Sequence, residues 1–302
     1  MSLVNASDLS HSIVKEETFG VTPTAAADRY ELPLAADAEP LQASVTQIQS
    51  NTKRPNRSSN GSRRGAQMVE GSIETRFVRA DFMDLLFQNA LCGTYNTDVL
   101  KAAEEDQYFS VITKLADDMY KTYSGCCVSG FSLDAKGNEE VSINFDIMGA
   151  GQTLAATENA LSVTSQSGLT EFVGTEVATI TVAGQNLAVA ELSFSTSLEK
   201  TKRYTLGSDT SLEYGVAGTR ECNLMVKAYR ESFAVDSAIT GEAQECSFQI
   251  GGAGTGYEFK LPAAYGDIPK DTLSDGSAFV EINFSCGYDE TEDTNLIITR
   301  LT

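Results

Sequence analysis

The sequence has no tryptophan, a single histidine (His11), only six prolines and no Cys-x-x-Cys spacing. One histidine excludes a histidine-rich metal centre and works against a Ser-His-Asp or Cys-His catalytic site. His11 itself is expected to be an ordinary exposed residue. The six cysteines, at 92, 126, 127, 222, 246 and 286, do not have the pairing of a zinc site. Disulfides are disfavoured in a reducing compartment. No apolar run approaches the roughly 20 residues needed to cross a bilayer as a helix. Met1 to Gly20 has neither a basic start nor an apolar block, so no secretory signal is expected and folding is expected in the cytosol. Bases are scarce: 22 Lys and Arg stand against 42 Asp and Glu, a net charge of −20. That balance disfavours nucleic-acid wrapping, which needs cations to displace phosphate counterions. It favours solubility and repels polyanions.

The scarce bases are unevenly placed. Residues 1–50 hold seven acids and two bases, and residues 51–64 hold five bases and no acid. Those five are Lys53, Arg54, Arg57, Arg63 and Arg64. The remaining residues, 65–302, carry 35 acids against 15 bases. The first fifty residues contain Pro23, Pro33 and Pro40 and read as an extended arm with short strands. Residues 51–66 offer almost nothing apolar to bury and are punctuated by Pro, Asn, Ser and Gly, which predicts a mobile basic loop. A solvated loop without a role is the plainer alternative.

From Gly71 the pattern becomes regular. Ser72 to Arg79 reads as a strand. Asp81 is expected to cap a helix, with Asp84 in its first turn, Phe82, Leu85, Leu86 and Leu91 near one face, and Gly93 as the stop. Beyond it the period is two. Val141, Ile143, Phe145 and Ile147 alternate with polar residues, as do Leu192, Phe194 and Leu198. The same holds for Cys222 to Ala228, Cys246 to Ile250, Tyr257 to Leu261 and Val280 to Cys286. Shorter runs at Phe131–Leu133, Val177–Val182 and Leu296–Leu301 add further strands. Such half-buried strands, with Gly-rich turns and little helix, predict an antiparallel β-sandwich or barrel with one short packed helix, an extended N-terminal arm and a long loop. Parity makes Cys222, Cys246 and Cys286 small core residues. Of the vicinal pair Cys126 and Cys127, at most one is expected to face the core. The domain reading is an arm and basic loop over 1–70 and a β-sandwich over 71–302, with an insertion expected near 150–190.

Little else reads as chemistry. The run from Gly251 to Gly256 lacks the Walker lysine and precedes a strand, so a flexible hairpin is expected rather than a phosphate loop. Among 42 acids, carboxylate pairs suited to glycoside hydrolysis are available, but the absent tryptophan and an aromatic share of 8% disfavour a sugar site. No catalytic, metal-binding or cofactor-binding residue is assigned, and no cofactor is expected.

Several segments together resemble the tail tube (major tail) proteins of bacteriophages with long, non-contractile tails. Glu17-Thr18-Phe19-Gly20-Val21-Thr22-Pro23 is similar to an acidic, Gly, Pro opening common there. Ile73-Glu74-Thr75-Arg76-Phe77 and Asp84-Leu85-Leu86-Phe87-Gln88-Asn89-Ala90-Leu91 resemble the strand and helix after it. Tyr123 to Leu133 and Val141 to Gly149 follow in the family's order, as do Gly218-Thr219-Arg220-Glu221-Cys222 and Ala278-Phe279-Val280-Glu281-Ile282-Asn283-Phe284. No single motif is specific; the order over nearly the whole chain carries the likeness. The resemblance implies a structural, non-enzymatic virion protein, made in the host cytoplasm. It implies hexameric rings stacked through arms and loops; the charge of Lys53, Arg54, Arg57, Arg63 and Arg64 against an otherwise acidic subunit makes these five the expected inter-ring contacts. The implied partners are other copies of itself, tape measure, tail terminator and tail tip proteins, and genomic DNA passing through the lumen without specific binding; no membrane insertion is implied. A carbohydrate-binding or adhesion β-sandwich is the alternative, and an acidic glycosidase the third reading.

Overall fold

The computed structural model describes residues 8–302 except 36, 37, 53, 57, 59, 167, 183, 240, 253 and 275. Strands make up 55% of the chain and helices 7%. In chain order the N-terminal strands are β1 (Ser10–Glu16), β2 (Arg29–Leu32), β3 (Leu41–Gln49) and β4 (Ser62–Arg76), followed by helix α1 (Asp81–Leu91). Then come β5 (Val99–Lys101), β6 (Tyr108–Ala116), β7 (Met119–Lys136), β8 (Ser142–Gly149), β9 (Gly151–Ala155), β10 (Val163–Thr164), β11 (Val177–Val182) and β12 (Gln185–Asn186). The last set is β13 (Val189–Ser197), β14 (Lys200–Arg203), β15 (Glu213–Val216), β16 (Glu221–Tyr229), α2 (Ala234–Ala238), β17 (Gln244–Ile250), β18 (Tyr257–Gly266), β19 (Lys270–Ser274), β20 (Ser277–Cys286) and β21 (Ile297–Arg300).

The main sheet runs β3–β4–β8–β7–β13–β16–β20 through antiparallel ladders, then continues through β18 and β17 to β11. β7 is long enough to serve two sheets. Its first half pairs with β6 and β9, and its second half with β8 and β13. The changeover falls at Gly125, whose φ of 60° is left-handed and where a Cβ would meet Ala150 and Phe19.

The expected period-two strands are all present, and their apolar faces converge on one core. Phe194 on β13 lies 5.7 Å from Phe248 on β17 and 6.0 Å from Phe259 on β18. These strands are far apart in the sheet, so the sheet curls over on itself. Helix α1 fills the space between. Phe87 touches Phe131 and Phe145 on one side and Tyr257 and Phe259 on the other, at 5.4–5.8 Å. The helix differs from its sequence reading at both ends. Ala80, not Asp81, occupies the cap position, without a side-chain hydrogen bond. Cys92 adopts the left-handed conformation ahead of Gly93, and both N–H groups turn back to the carbonyls of Asn89 and Gln88. Asp84 is buried and accepts hydrogen bonds from Tyr257 at 2.7 Å and Arg79 at 2.9 Å, which ties the helix to β18.

Four strands of the N-terminal region, β1 to β4, are bound into the sheets. β1 is laid between β2 and β6, with Ile13 and Val14 fully buried. Residues 150–190 supply β9 to β12, and Phe172 enters the core 5.5 Å from Phe77.

Candidate assembly surfaces

The outward face of the main sheet is a field of short polar side chains. Registers place Glu74 on β4 opposite Asn144 on β8, and Asn144 opposite Ser132 on β7. The row continues through Ser195 on β13 and Asn223 on β16 to Ser285 on β20. The row on one side carries Ser142, Asp134, Ser193, Met225 and Asn283. The row on the other carries Ser72, Asp146, Gly130, Ser197 and Glu221. Three of the cations on this face are engaged by carboxylates. Arg76 lies 2.6 Å from both Glu140 and Glu171. Lys136 and Lys227 flank Glu191 at 3.3 and 3.7 Å. A cation already clamped by carboxylates has little left to offer a phosphate.

A second surface is the hairpin of β3 and β4. The ladder between them runs from Leu41 opposite Gly71 to Gln49 opposite Ser62. β8 begins to pair with β4 only at Val69, so the distal half of the hairpin projects as a two-stranded ribbon. This corrects the sequence reading of a loop over 51–66: the strand starts at Ser62, because cross-strand pairing overrides the weak β-propensity of Ser62, Arg63 and Arg64. Arg63 and Arg64 are exposed on that strand opposite Ile48 and Gln47. Neither forms an ion pair with a described residue. Arg54 lies in the connecting loop, where its guanidinium donates to Asn60 Oδ1 at 2.9 and 2.6 Å. Lys53 and Arg57 lie outside the described residues. The structure therefore brings Arg63 and Arg64 onto one strand end and leaves Arg54 in the loop beyond it.

The N-terminal segment holds polar residues that the sequence reading missed or misplaced. Glu16 is buried at 4% exposure. Its carboxylate accepts the N–H of Gly20 at 2.7 Å, the N–H of Gly125 at 2.8 Å and the Ser110 hydroxyl. Burial raises its pKa, and those three donors oppose the rise. The sequence reading pointed to Glu17; the four-residue spacing from Glu16 to Gly20 was the available signal. His11 is not exposed. It is 6% accessible on β1, and its Nδ1 lies 3.0 Å from Thr113 Oγ1. Burial lowers its pKa. Cys126 and Cys127 are both buried, and as expected for a vicinal pair only one of them faces the main core. Cys126 joins the main core, while Cys127 is covered on the opposite side beside Lys200. Burial raises both thiols, Cys127 to about 12. Cys222 and Cys246 are buried in the core and Cys286 packs against it.

A groove of about 1100 Å³ is lined by Leu34, Glu74, Arg76, Glu140, Leu169, Glu171 and neighbours, none of them aromatic. Of the carboxylates that line it, Glu140 and Glu171 are both committed to Arg76. Among the described residues no group of three or more His, Cys, Asp or Glu side chains could hold a metal ion. Among the described residues no helix is long and apolar enough to cross a membrane.

Fold and surface together define a mainly antiparallel β protein whose prominent outer features are a broad polar sheet face and a projecting ribbon. The chain belongs to the phage tail tube protein family, whose model matches residues 7–286. No protein of curated function matches it significantly. The family is a structural one of the phage tail.

Proposed function

We propose that six copies of this chain close into a ring, that rings stack into the tail tube of a virion, and that DNA passes through the lumen without being held. The clamping of Arg76, Lys136 and Lys227 on the outward face of β4, β8, β7, β13, β16 and β20 carries this reading. A conduit wall for a polyanion should be smooth, hydrated and free of available cations. Short Ser and Asn side chains and engaged bases meet that requirement. The remaining acids, 35 against 15 bases over residues 65–302, add repulsion. In this reading the chain is synthesised in the host cytoplasm and has no catalytic role. Tape measure, terminator and tip proteins meet the ends of the tube. Residues 1–70 supply inter-subunit contacts and residues 71–302 the tube wall. The basic segment with Lys53, Arg54, Arg57, Arg63 and Arg64 guides one ring onto the acidic surface of the next.

Negative-stain electron microscopy of the purified chain over a range of concentrations tests the reading. Rings or tubes of uniform diameter are expected. A monodisperse monomer at every concentration, with no tubes in lysates of infected cells, contradicts it. A monomer that binds glycans returns the adhesion-module alternative.

A further inference from the structure

We infer that Asn60 is a site of self-modification, losing its side-chain nitrogen as ammonia to leave aspartate or isoaspartate beside Arg54. The inference stands on the chemistry of the hairpin loop and does not depend on the assembly reading.

Asn60-Gly61 is the only Asn-Gly pair in the sequence. In such a pair the glycine backbone nitrogen and the asparagine side-chain carbonyl carbon can close a five-membered ring, an intramolecular attack that needs no partner molecule. Every other asparagine is followed by a residue whose Cβ crowds that attack; glycine has none. Both residues are exposed in the loop between β3 and β4, so water and base reach them. A Cβ built on Gly61 would meet nothing within 4 Å, so the space beside its Cα is open.

Arg54 sets Asn60 apart from a bare dipeptide. Its Nε and Nη2 donate to Asn60 Oδ1 at 2.9 and 2.6 Å. A guanidinium can only donate, so it fixes the oxygen end of the amide toward itself and leaves Nδ2 turned away. The loop holds the arginine there. The Arg54 N–H donates to the Ser58 carbonyl at 3.0 Å, and the Ser58 N–H donates to Asn56 Oδ1 at 3.2 Å. Two charged donors on a carbonyl oxygen draw electrons from its carbon and stabilise the oxyanion that forms when a nucleophile adds.

The step balances with water as the only co-reactant. The Gly61 backbone nitrogen gives its proton to solvent base and bonds to Asn60 Cγ. The Cγ–Nδ2 bond breaks and ammonia leaves. Water then opens the ring at either of its two carbonyls. One opening gives aspartate; the other gives isoaspartate, with an extra methylene in the main chain just ahead of β4. Either product sets a carboxylate against the same guanidinium, which strengthens that contact into an ion pair. Residues 51–64, with five bases and no acid, acquire an acid. The most basic stretch of the chain therefore loses charge with age, without an enzyme.

Incubation of the purified full chain in mildly alkaline buffer tests this. Trypsin, cutting after Arg57 and Arg63, releases residues 58–63. Electron-transfer mass spectrometry of that fragment distinguishes asparagine, aspartate and isoaspartate at position 60. Asn60 should convert before every other asparagine of the folded chain, and faster than in a synthetic peptide of residues 58–63, which lacks Arg54. Arg54→Ala should keep the unfolding midpoint of the parent and slow conversion about tenfold, the rate equivalent of one charged hydrogen bond in the transition state. Arg54→Lys, which returns the charge, should recover part of the rate. An Asn60 that stays intact while other asparagines convert overturns the inference. So does conversion in Arg54→Ala as fast as in the parent.

Discussion

Two regions of this molecule solve opposite problems. Around α1, nearly every side chain is buried, and Phe87 alone contacts Phe77, Phe131, Phe145, Tyr257 and Phe259. Along the β3–β4 ribbon, Gln47, Ile48, Gln49, Arg63 and Arg64 are all exposed, and Ile48 is 62% accessible. The helix end stabilises the subunit and asks nothing of a neighbour. The ribbon contributes little to the subunit, because beyond Val69 its β4 strand has only β3 as a ladder partner. A protein that must stay soluble alone and bind firmly in an assembly separates these functions in space.

Substitutions at the two regions should therefore read out in different assays. Phe87→Ala has the largest expected effect, a loss of about 3–5 kcal/mol in urea or thermal unfolding of the free subunit, because the surrounding rings cannot collapse into the void. If that variant unfolds like the parent, the helix is not the centre of the core. Replacing Lys53, Arg54, Arg57, Arg63 and Arg64 with Ser together should leave subunit unfolding unchanged while shortening tubes and lowering their salt resistance. Tubes of parental length in high salt would remove the stacking role of these bases.

Two buried titratable groups on β1 sharpen the contrast further, with opposite signs. Folding holds the His11 pKa below 6.5, so its contribution is complete above that value and is lost as pH falls through the lowered pKa. Acidification from pH 7 to 5 should destabilise the parent subunit more than a His11→Gln variant. The Glu16 pKa is raised, so its contribution is complete below about pH 4.5 and is lost as pH rises through the raised pKa. The stability of the parent relative to Glu16→Gln should accordingly fall as pH rises through the carboxylate range. Slopes of the reverse sign in pH-dependent urea titrations would contradict the burial of these groups. The smallest effect is expected at the cysteines. The native subunit should resist alkylation at Cys126 and Cys127, whose thiols are buried and hard to ionise, and should react at both once unfolded. Mass spectrometry after iodoacetamide treatment checks this.

Much of the fold was legible because the half-buried strands advertise themselves with a period of two. Ile143, Phe145 and Ile147, or Leu224 and Val226, can only share a face. The helix was legible from Phe82, Leu85 and Leu86, and the family likeness from the order of such segments. What was not legible depended on contacts between distant segments. His11 is buried because β6 and β2 close on both sides of β1, and nothing local to residue 11 reports that. Cys127 is buried because the opposite sheet face is also covered at that point. Ser62 to Ala66 form a strand because β3 is there to pair with, although their own composition reads as loop. The clamping of Arg76, Lys136 and Lys227 likewise joins carboxylates from separate strands and loops, so the charges of the polar face could be counted in sequence but their pairing could not be seen.

The central claim is that the polar face of β4, β8, β7, β13 and β16 is the inner wall of a tube. A cryo-electron microscopy map of the assembled protein tests it most directly. The account predicts Ser132, Asn144, Ser195 and Asn223 lining the lumen, with Arg63 and Arg64 buried between subunits. A map with that sheet face on the outer surface of the tube, or with Arg63 and Arg64 pointing into the lumen, contradicts it.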